Sequence, residues 1–426
     1  MSNAADSRSF RMRQAHEQLR PFGASIGGNS ELPGPASLAK RLSWWVITTA
    51  NRLVPKAPGR IVLHSTIDLE DGVLSLIDEA GARGYRVIVL LEEPSRAPQL
   101  RALTSAPVTT VARRSLRGLL HYLRSPHIVI TQNLFGDPRP PRSQVVVNIW
   151  HGDPPGGKVN GRFSGGSGAY NATYAPVSST LGRAYRAAEF GLSPLQVPVV
   201  GAARNDRMLR ADRTAVRRAL LGAEDDRTTF LWLPSFRTGH WGTRVRSDVA
   251  TVRHPGVPFA PEDVRRLDEW LVRRGARLVV KLHPHDVASF PGGHEAIQVL
   301  TQEEMEAAGL TVYTLLPAFD GLITDVSSVW VDYLLLDRPM VFAFPDVQDY
   351  RDGRGLNVEP FEEWVPGPFA RTMDELIDSL GDLVDGRDPM GEERRRALAR
   401  FHHHHDDGST ARLLDGLGLV AGEARR

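Results

Sequence analysis

Short apolar runs rich in valine, isoleucine and leucine alternate with longer amphipathic stretches from residue 60 onward. Such runs occur at Arg60–His64, 85–91 and 145–150, and an amphipathic segment lies between the first two at 71–84. Runs of this length predict strands, and the amphipathic spacing predicts a helix. Continuous apolar strands separated by helices are typical of a parallel sheet covered on both faces. Further strands are predicted at 127–130 and 197–200.

A second series of the same kind follows, with predicted strands at 229–234, 277–282, 321–325 and 339–344. A chain of 426 residues is also too long for one ordinary core. We therefore predict an α/β protein with two doubly wound parallel-sheet domains that face each other across a cleft. The predicted divisions are an N-terminal segment at 1–57, two α/β domains at 58–205 and 206–400, and a C-terminal helix and tail at 401–426.

Composition narrows the chemistry that this chain can perform. It contains no cysteine, which excludes disulfides, thiolate metal sites and a cysteine nucleophile and fits a cytoplasmic location. The formal net charge of +2 does not suggest a nucleic-acid partner. No apolar run reaches the roughly 20 residues that a membrane-spanning helix needs. Catalysis is expected to depend on histidines, hydroxyl groups and arginines.

The segment at 38–54 is amphipathic and leaves two interpretations open. Trp44 and Trp45 lie among Lys40 and Arg52, a composition that suits the headgroup region of an anionic membrane. The same residues also suit a helix that packs on the surface of the first domain, which is the interpretation we favour from the sequence.

Polar residues follow the predicted strands at their carboxyl ends, where open parallel sheets bind their ligands. His151 and Gly152 follow one strand of the first domain, and His283 follows a strand of the second. One histidine from each domain is therefore expected to face the cleft. The other polar residues at such ends are Ser235, Arg237, Lys281, Thr324, Asp325, Ser327 and Ser328.

The hydroxyl pair Ser327 and Ser328 precedes an apolar stretch at 329–336 that predicts a helix. The start of a helix offers unpaired N–H groups and partial positive charge, so the pair could hold a diphosphate; plain helix capping is the alternative. His151 suits a proton acceptor, because neutral imidazole accepts a proton near neutral pH. The run at 402–405 consists of four histidines, which we expect to be mostly solvated, with no metal site.

Several ordered motifs resemble the CDP-glycerol glycerophosphotransferases that build teichoic acids and related capsule polymers. The sequence that carries the resemblance is Trp-His-Gly-Asp-Pro at 150–154, Gly-Ala-Ala-Arg-Asn-Asp at 201–206, Lys-Leu-His-Pro at 281–284, Thr-Asp-Val-Ser-Ser at 324–328, Arg-Pro at 338–339, Asp-Tyr-Arg-Asp at 349–352 and Asp-Gly at 407–408. The order of the motifs is preserved. Asp153 stands where the family pattern has threonine, and Lys281 where it has arginine.

The resemblance implies a GT-B fold and transfer of a polyol phosphate from CDP-glycerol or CDP-ribitol, with release of CMP. His151 would then activate the hydroxyl of a polyol-phosphate or glycan acceptor, lipid-linked in related proteins, and His283 would assist the leaving phosphate. The resemblance implies no cofactor. It does imply contact with the inner face of an anionic membrane. The residues implied in substrate binding are Gly152, Arg204, Ser235, Arg237, Lys281, Thr324, Asp325, Ser327, Ser328, Asp332, Arg351 and Asp407.

Two other functions fit the residues. A GT-B glycosyltransferase would use the same diphosphate seat with a nucleotide sugar and would release a nucleoside diphosphate. A binding module without catalytic activity in a capsule-assembly complex would not need either histidine.

Overall fold

The computed structural model describes residues 35–136, 138–153, 171–222, 225–235, 237–241, 244–247, 256–282, 290, 292–353 and 355–420. Within these residues the chain forms two parallel sheets, each with helices on both faces, and one short antiparallel hairpin. The fold class predicted from the alternating pattern is therefore confirmed.

The first sheet has the strand order β3-β2-β1-β4-β5. Its strands are β1 Arg60–His64, β2 Arg86–Leu91, β3 Val108–Ala112, β4 His127–Ile130 and β5 Val145–Asn148. Alternate residues of β1 face opposite sides, so Ile61 packs with α2 (Asp71–Ala82) and Val62 packs toward α4 (Leu116–Arg124). Burial of both faces explains why these strands read as continuous apolar runs.

The second sheet has the order β10-β9-β6-β11-β12-β13, and a separate hairpin pairs β7 with β8. These strands are β6 Thr229–Trp232, β7 Thr238–Trp241, β8 Arg244–Ser247, β9 Arg277–Val280, β10 Ile297–Val299, β11 Gly321–Thr324, β12 Met340–Ala343 and β13 Phe369–Ala370. The other helices are α1 Pro35–Leu53, α3 Ala97–Ala102, α5 Thr180–Phe190, α6 Ala203–Arg210, α7 Arg213–Leu221, α8 Pro261–Arg274, α9 Gln302–Ala307, α10 Val312–Leu315, α11 Val329–Tyr333, α12 Val347–Gly353, α13 Met373–Val384, α14 Gly391–Phe401 and α15 Ser409–Gly416.

The chain returns to the first sheet at its C-terminal end. Leu413, Leu414 and Leu417 of α15 are buried in the core that also contains Ile61 of β1. The two sheets are therefore linked twice, once before β6 and once by this return.

The structure differs from the sequence predictions in several elements. The run at 197–200 forms only an isolated bridge between Val177 and Val199 instead of a strand. The helix predicted at 329–336 is α-helical only to Tyr333 and continues as one 3₁₀ turn at Leu334–Leu336. The edge strands β3, β10 and β13 and the hairpin were not predicted, because short edge strands carry little apolar pattern.

Helix α1 packs on the first domain, as the favoured interpretation of the sequence expected. Its Ile47 and Ala50 pack against the core beneath α4. Trp45 and Val46, in contrast, are 61% and 49% exposed. Over the described part of the chain, no helix has both the length and the hydropathy needed to span a membrane.

Candidate active site

The loop after β5 meets the start of α11, so the carboxyl ends of the two sheets face each other here. Gly152 lies against Ser328: a Cβ atom at Gly152 would overlap the Ser328 hydroxyl and lie 3.1 Å from its Cβ. A larger residue here would require the Ser328 side chain to turn aside or the loop to shift. The structure therefore brings the His151–Gly152 pair and the serine pair together, as the strand-end argument predicted.

His151 is exposed and rests on the ring of Trp150. The two ring centroids are 4.4 Å apart with an interplanar angle of 26°. Trp150 has a left-handed backbone with φ of 49°, and its N–H donates to Asn148 Oδ1 at 3.0 Å. Gln132, beyond the end of β4, places its Nε2 3.5 Å from His151 Nδ1. The left-handed turn and the stacked ring hold the imidazole in an exposed position.

A buried arginine of α5 holds this loop from behind. Arg186 Nη2 donates to the Gly152 carbonyl at 2.5 Å, and the guanidinium lies 4.5 Å from the ring centroid of Phe190 and 5.7 Å from that of Trp150. Its Nη1 donates to Glu189 Oε2 at 2.8 Å, and both side chains are almost fully buried. Sequence reasoning missed Arg186, because it lies mid-helix and no local motif marks its partner.

The carboxylate of Asp325 holds the segment before α11 in place through hydrogen bonds to backbone N–H groups. Asp325 accepts from the N–H groups of Ser235, at 2.9 and 3.0 Å, and Ser327, at 3.1 Å. The Thr324 hydroxyl is fully buried and donates to the Leu233 carbonyl at 2.9 Å. Ser328 occupies the N-cap position without a side-chain cap bond, and both serines are partly exposed. Thr324 and Asp325 thus fix the shape of the segment before α11, and the two serine side chains remain partly exposed.

Arg237, predicted to bind substrate, is 1% exposed and is bound by two carboxylates. It pairs with Asp325 and donates to Asp346 at 3.0 and 3.1 Å. Burial lowers the pKa of Arg237, but the attraction of Asp325 and Asp346 outweighs this and raises it well above the ordinary value. In this arrangement Arg237 joins the ends of β6, β11 and β12.

The Gly-Ala-Ala-Arg-Asn-Asp motif lies at a joint of the fold. Gly201, with φ of 88°, has no room for a Cβ because Ser409 lies against it. Asp206 accepts from the N–H groups of Ser409 at 3.0 Å and Thr410 at 2.8 Å, so it caps α15. Arg204 donates to both carboxylate oxygens of Asp332 at 3.0 and 2.9 Å. The motif therefore connects α6 to both the returning C-terminal helix and α11.

The remaining predicted binding residues each have a protein partner. Lys281 is buried, which lowers its pKa, and donates to Gln302 Oε1 at 3.0 Å. Arg351 donates to Glu359 at 2.7 and 2.9 Å, and Asp407 accepts from Arg210 at 2.6 Å. His283 lies outside the described residues, so the pairing of the two histidines across the cleft stays a prediction.

The four histidines at 402–405 differ in how deeply they are buried. His402 is buried, and its Nε2 lies 2.6 Å from the Val331 carbonyl inside α11, so the prediction of a mostly solvated run is wrong for this residue. Burial lowers the pKa of His402. His403 and His405 are exposed. Over the residues that the structure describes, no group of three or more histidines and carboxylates is arranged to hold a metal ion.

Comparison with known families decides the assignment. Residues 47–418 match the family model described as CDP-Glycerol:Poly(glycerophosphate) glycerophosphotransferase. The chain belongs to this family.

Curated members of the family align with parts of the chain. The teichoic acid ribitol-phosphate polymerase TarL of Staphylococcus aureus (strain NCTC 8325 / PS 47) is 28% identical over 269 residues, 59% of this chain and 44% of that protein. The teichoic acid poly(glycerol phosphate) polymerase of Bacillus subtilis (strain 168) is 47% identical over 65 residues, 15% of this chain and 9% of that protein. The chain thus aligns with less than half the length of these relatives.

The fold of this chain is similar to that of the wall teichoic acid polymerase TagF. That structure superposes with a TM-score of 0.69 at 18% identity and covers 96% of this chain and 97% of that one. The likeness establishes a GT-B-like fold for this family member, as the motif resemblance implied.

Proposed function

We propose that this protein transfers a polyol phosphate from a CDP-polyol to a hydroxyl group of a polyol-phosphate or glycan acceptor and releases CMP, in the synthesis of a teichoic acid or capsule polymer. The observation that carries the proposal is family membership over residues 47–418, joined to the contact between the His151–Gly152 loop and Ser328. Glycerol phosphate is the proposed unit, and ribitol phosphate is the alternative, because relatives with either unit in their names align with this chain.

The proposed reaction balances without a cofactor. The acceptor hydroxyl oxygen attacks the phosphorus that bears the polyol, and its proton passes to the His151 imidazole. The bond from that phosphorus to the bridging oxygen breaks, and CMP leaves with this oxygen. A positioned base of this kind is typically worth about 10² to 10⁴ in rate.

For the donor we propose a site beside Ser327 and Ser328, with the hydroxyl groups and the N–H groups at the start of α11 directed at the diphosphate. His283 would donate to the leaving phosphate. Thr324, Asp325 and Arg237 would act by shaping this seat, because their side-chain polar groups are already bonded to one another or to the backbone. Ser235 donates its backbone N–H to Asp325, and its hydroxyl is a proposed donor contact. Donor contacts of Gly152, Lys281, Arg351 and Asp407 are further predictions.

We also propose a cytoplasmic location with contact to an anionic membrane surface, where a lipid-linked acceptor would be found. Helix α1 contacts α4, whose Leu116 and Leu120 are 87% and 50% exposed. Arg117 and Arg124 of α4 are exposed as well. Exposed apolar and basic residues on two neighbouring helices suit a headgroup region.

The test is release of CMP by the purified protein. It is incubated with CDP-glycerol or CDP-ribitol and a short polyol-phosphate acceptor, with and without a metal chelator. We expect CMP and an elongated acceptor from one donor, and loss of at least about 10²-fold in kcat for both His151→Ala and His283→Ala. Release of UDP or GDP from a nucleotide sugar would favour the glycosyltransferase. Unchanged cellular function in the double alanine variant would favour the binding module.

A further inference from the structure

Arg204 lies buried behind the candidate active site and is surrounded by acidic groups. Its side chain is 3% exposed, and its Nε and Nη2 donate to the two carboxylate oxygens of Asp332. The same Nη2 lies 3.9 Å from Asp153 Oδ2. A side chain enclosed in this way has no surface from which to bind a nucleotide, in contrast to the substrate-binding role predicted from the sequence.

The two carboxylates belong to the two segments that border the cleft. Asp153 comes two residues after His151, and its Oδ2 also accepts from the Ser178 N–H at 3.1 Å. Asp332 lies in α11, which begins directly after Ser328. Arg204 therefore connects, from behind, the same two segments that touch in front at Gly152 and Ser328.

The two connections differ in strength. The Asp332 pairing is bidentate and fully buried, and Tyr313 Oη adds a hydrogen bond to Asp332 Oδ2 at 2.7 Å. The Asp153 contact exceeds hydrogen-bond length, so it acts through charge alone. Burial lowers the pKa of Arg204, but Asp332, together with Tyr313 and Asp153, raises it well above the ordinary value. The guanidinium is thus fixed to α11 and attracts the His151 loop.

We propose that Arg204 is a positioning residue, which sets the distance between His151 and the serine pair through Asp153, and that it does not contact substrate. This inference rests on the proposed function. The charge of Asp153 gives the His151 loop an electrostatic link to Arg204, and through Arg204 to α11.

The test uses conservative variants of the full chain. Asp153→Asn keeps the acceptor for Ser178 N–H and removes the charge, and Arg204→Lys keeps the charge and removes the bidentate pairing. We expect each to lower kcat for CMP release about 10- to 100-fold, the cost of displacing a reacting group by about 1 Å. KM for the CDP-polyol should change less than about twofold, because donor contacts are untouched.

The effects of the two substitutions on kcat should not be additive, because both interrupt the same connection. The double variant should therefore have the same kcat as the less active of the two single variants. Arg394→Lys is the matched control: Arg394 is 4% exposed and donates to Asp337 at 2.9 Å and Asp388 at 2.8 Å, away from the cleft. Its kcat should equal that of the wild type. A raised KM with unchanged kcat in Arg204→Lys would overturn the proposal and make Arg204 a substrate ligand.

A crystal structure of the Asp153→Asn protein tests the inference without catalysis. We expect the Gly152 backbone to move away from Ser328, with the pairing of Arg204 to Asp332 intact. An unmoved loop would overturn the positioning role. Absence of CMP release by the wild-type protein would instead refute the proposed function, and the crystallographic result would still decide the role of Arg204.

Discussion

The backbone of Gly152 packs directly on the side chain of Ser328, so closely that a Cβ at Gly152 would overlap the Ser328 hydroxyl. Gly152 precedes Ser328 by 176 positions, and the two residues follow strands of different sheets. This contact fixes where the exposed imidazole of His151 stands relative to the start of α11.

Gly152→Ala tests this contact. The added methyl group must turn the Ser328 hydroxyl aside or push the His151 loop away from it, and either change alters the proposed donor site, so we expect kcat for CMP release to fall by about 10²-fold. Thermal unfolding should change little, because the core is not affected. Gly292→Ala is the control, since a Cβ there meets no atom within 4 Å. Wild-type activity in Gly152→Ala would show that the contact does not position His151.

Arg186→Met is expected to destabilise the protein and to remove activity. It leaves the Glu189 carboxylate buried without its partner, which typically costs about 3–5 kcal/mol. Urea unfolding measures this loss. Adding Glu189→Gln should recover most of the stability but not the CMP release, because the Gly152 carbonyl still lacks its donor. Recovery of both stability and CMP release would mean that Arg186 serves only to neutralise the buried charge of Glu189.

Glu70 is expected to make stability depend on pH. Burial and then repulsion by Asp71 raise its pKa from 4.5 to about 7. Between these values the folded state holds a proton that the unfolded state releases, so stability falls as pH rises through this window. Glu70→Gln should therefore be more stable than wild type by about 3 kcal/mol at pH 8 and nearly equal at pH 4.

Urea unfolding at both pH values checks this prediction, with the exposed Glu392→Gln as the control variant. Equal stabilities of wild type and Glu70→Gln at pH 8 would contradict the raised pKa. A difference in stability found only at pH 4 would mean that folding lowers the pKa of Glu70 instead of raising it.

The exposed face of α1 is expected to bind anionic vesicles. Replacing Trp45 and Val46 by serine removes two of its exposed apolar side chains, and sedimentation with vesicles of anionic and zwitterionic lipid measures the effect. Binding of the wild type to anionic vesicles should weaken several-fold in the variant. Val272→Ser, which removes a comparably exposed side chain on α8, should bind like wild type. Equal binding by all three proteins would argue against α1 as the contact.

The sequence by itself determined where the main strands and helices lie. It also showed that candidate catalytic and binding residues follow the carboxyl ends of the strands. Strand and helix periods are local properties, so the runs at 60–64, 127–130 and 277–280 could be recognised without the fold. Because open parallel sheets bind their ligands at the carboxyl ends of the strands, His151, Gly152 and Ser328 could each be assigned to the ligand-binding edge of their own sheet. The ordered motifs then indicated the family.

Only the tertiary structure decided which polar residues face the cleft and which hold it together. Arg204, Arg237 and Asp325 looked like substrate ligands in the sequence, yet each is buried with partners 88 or more positions away. Arg186 carried no signal at all. The sequence gives the charge of each side chain, but the partner of a buried charge depends on how distant segments pack. A buried charged group is stable only when the fold places an opposite charge beside it.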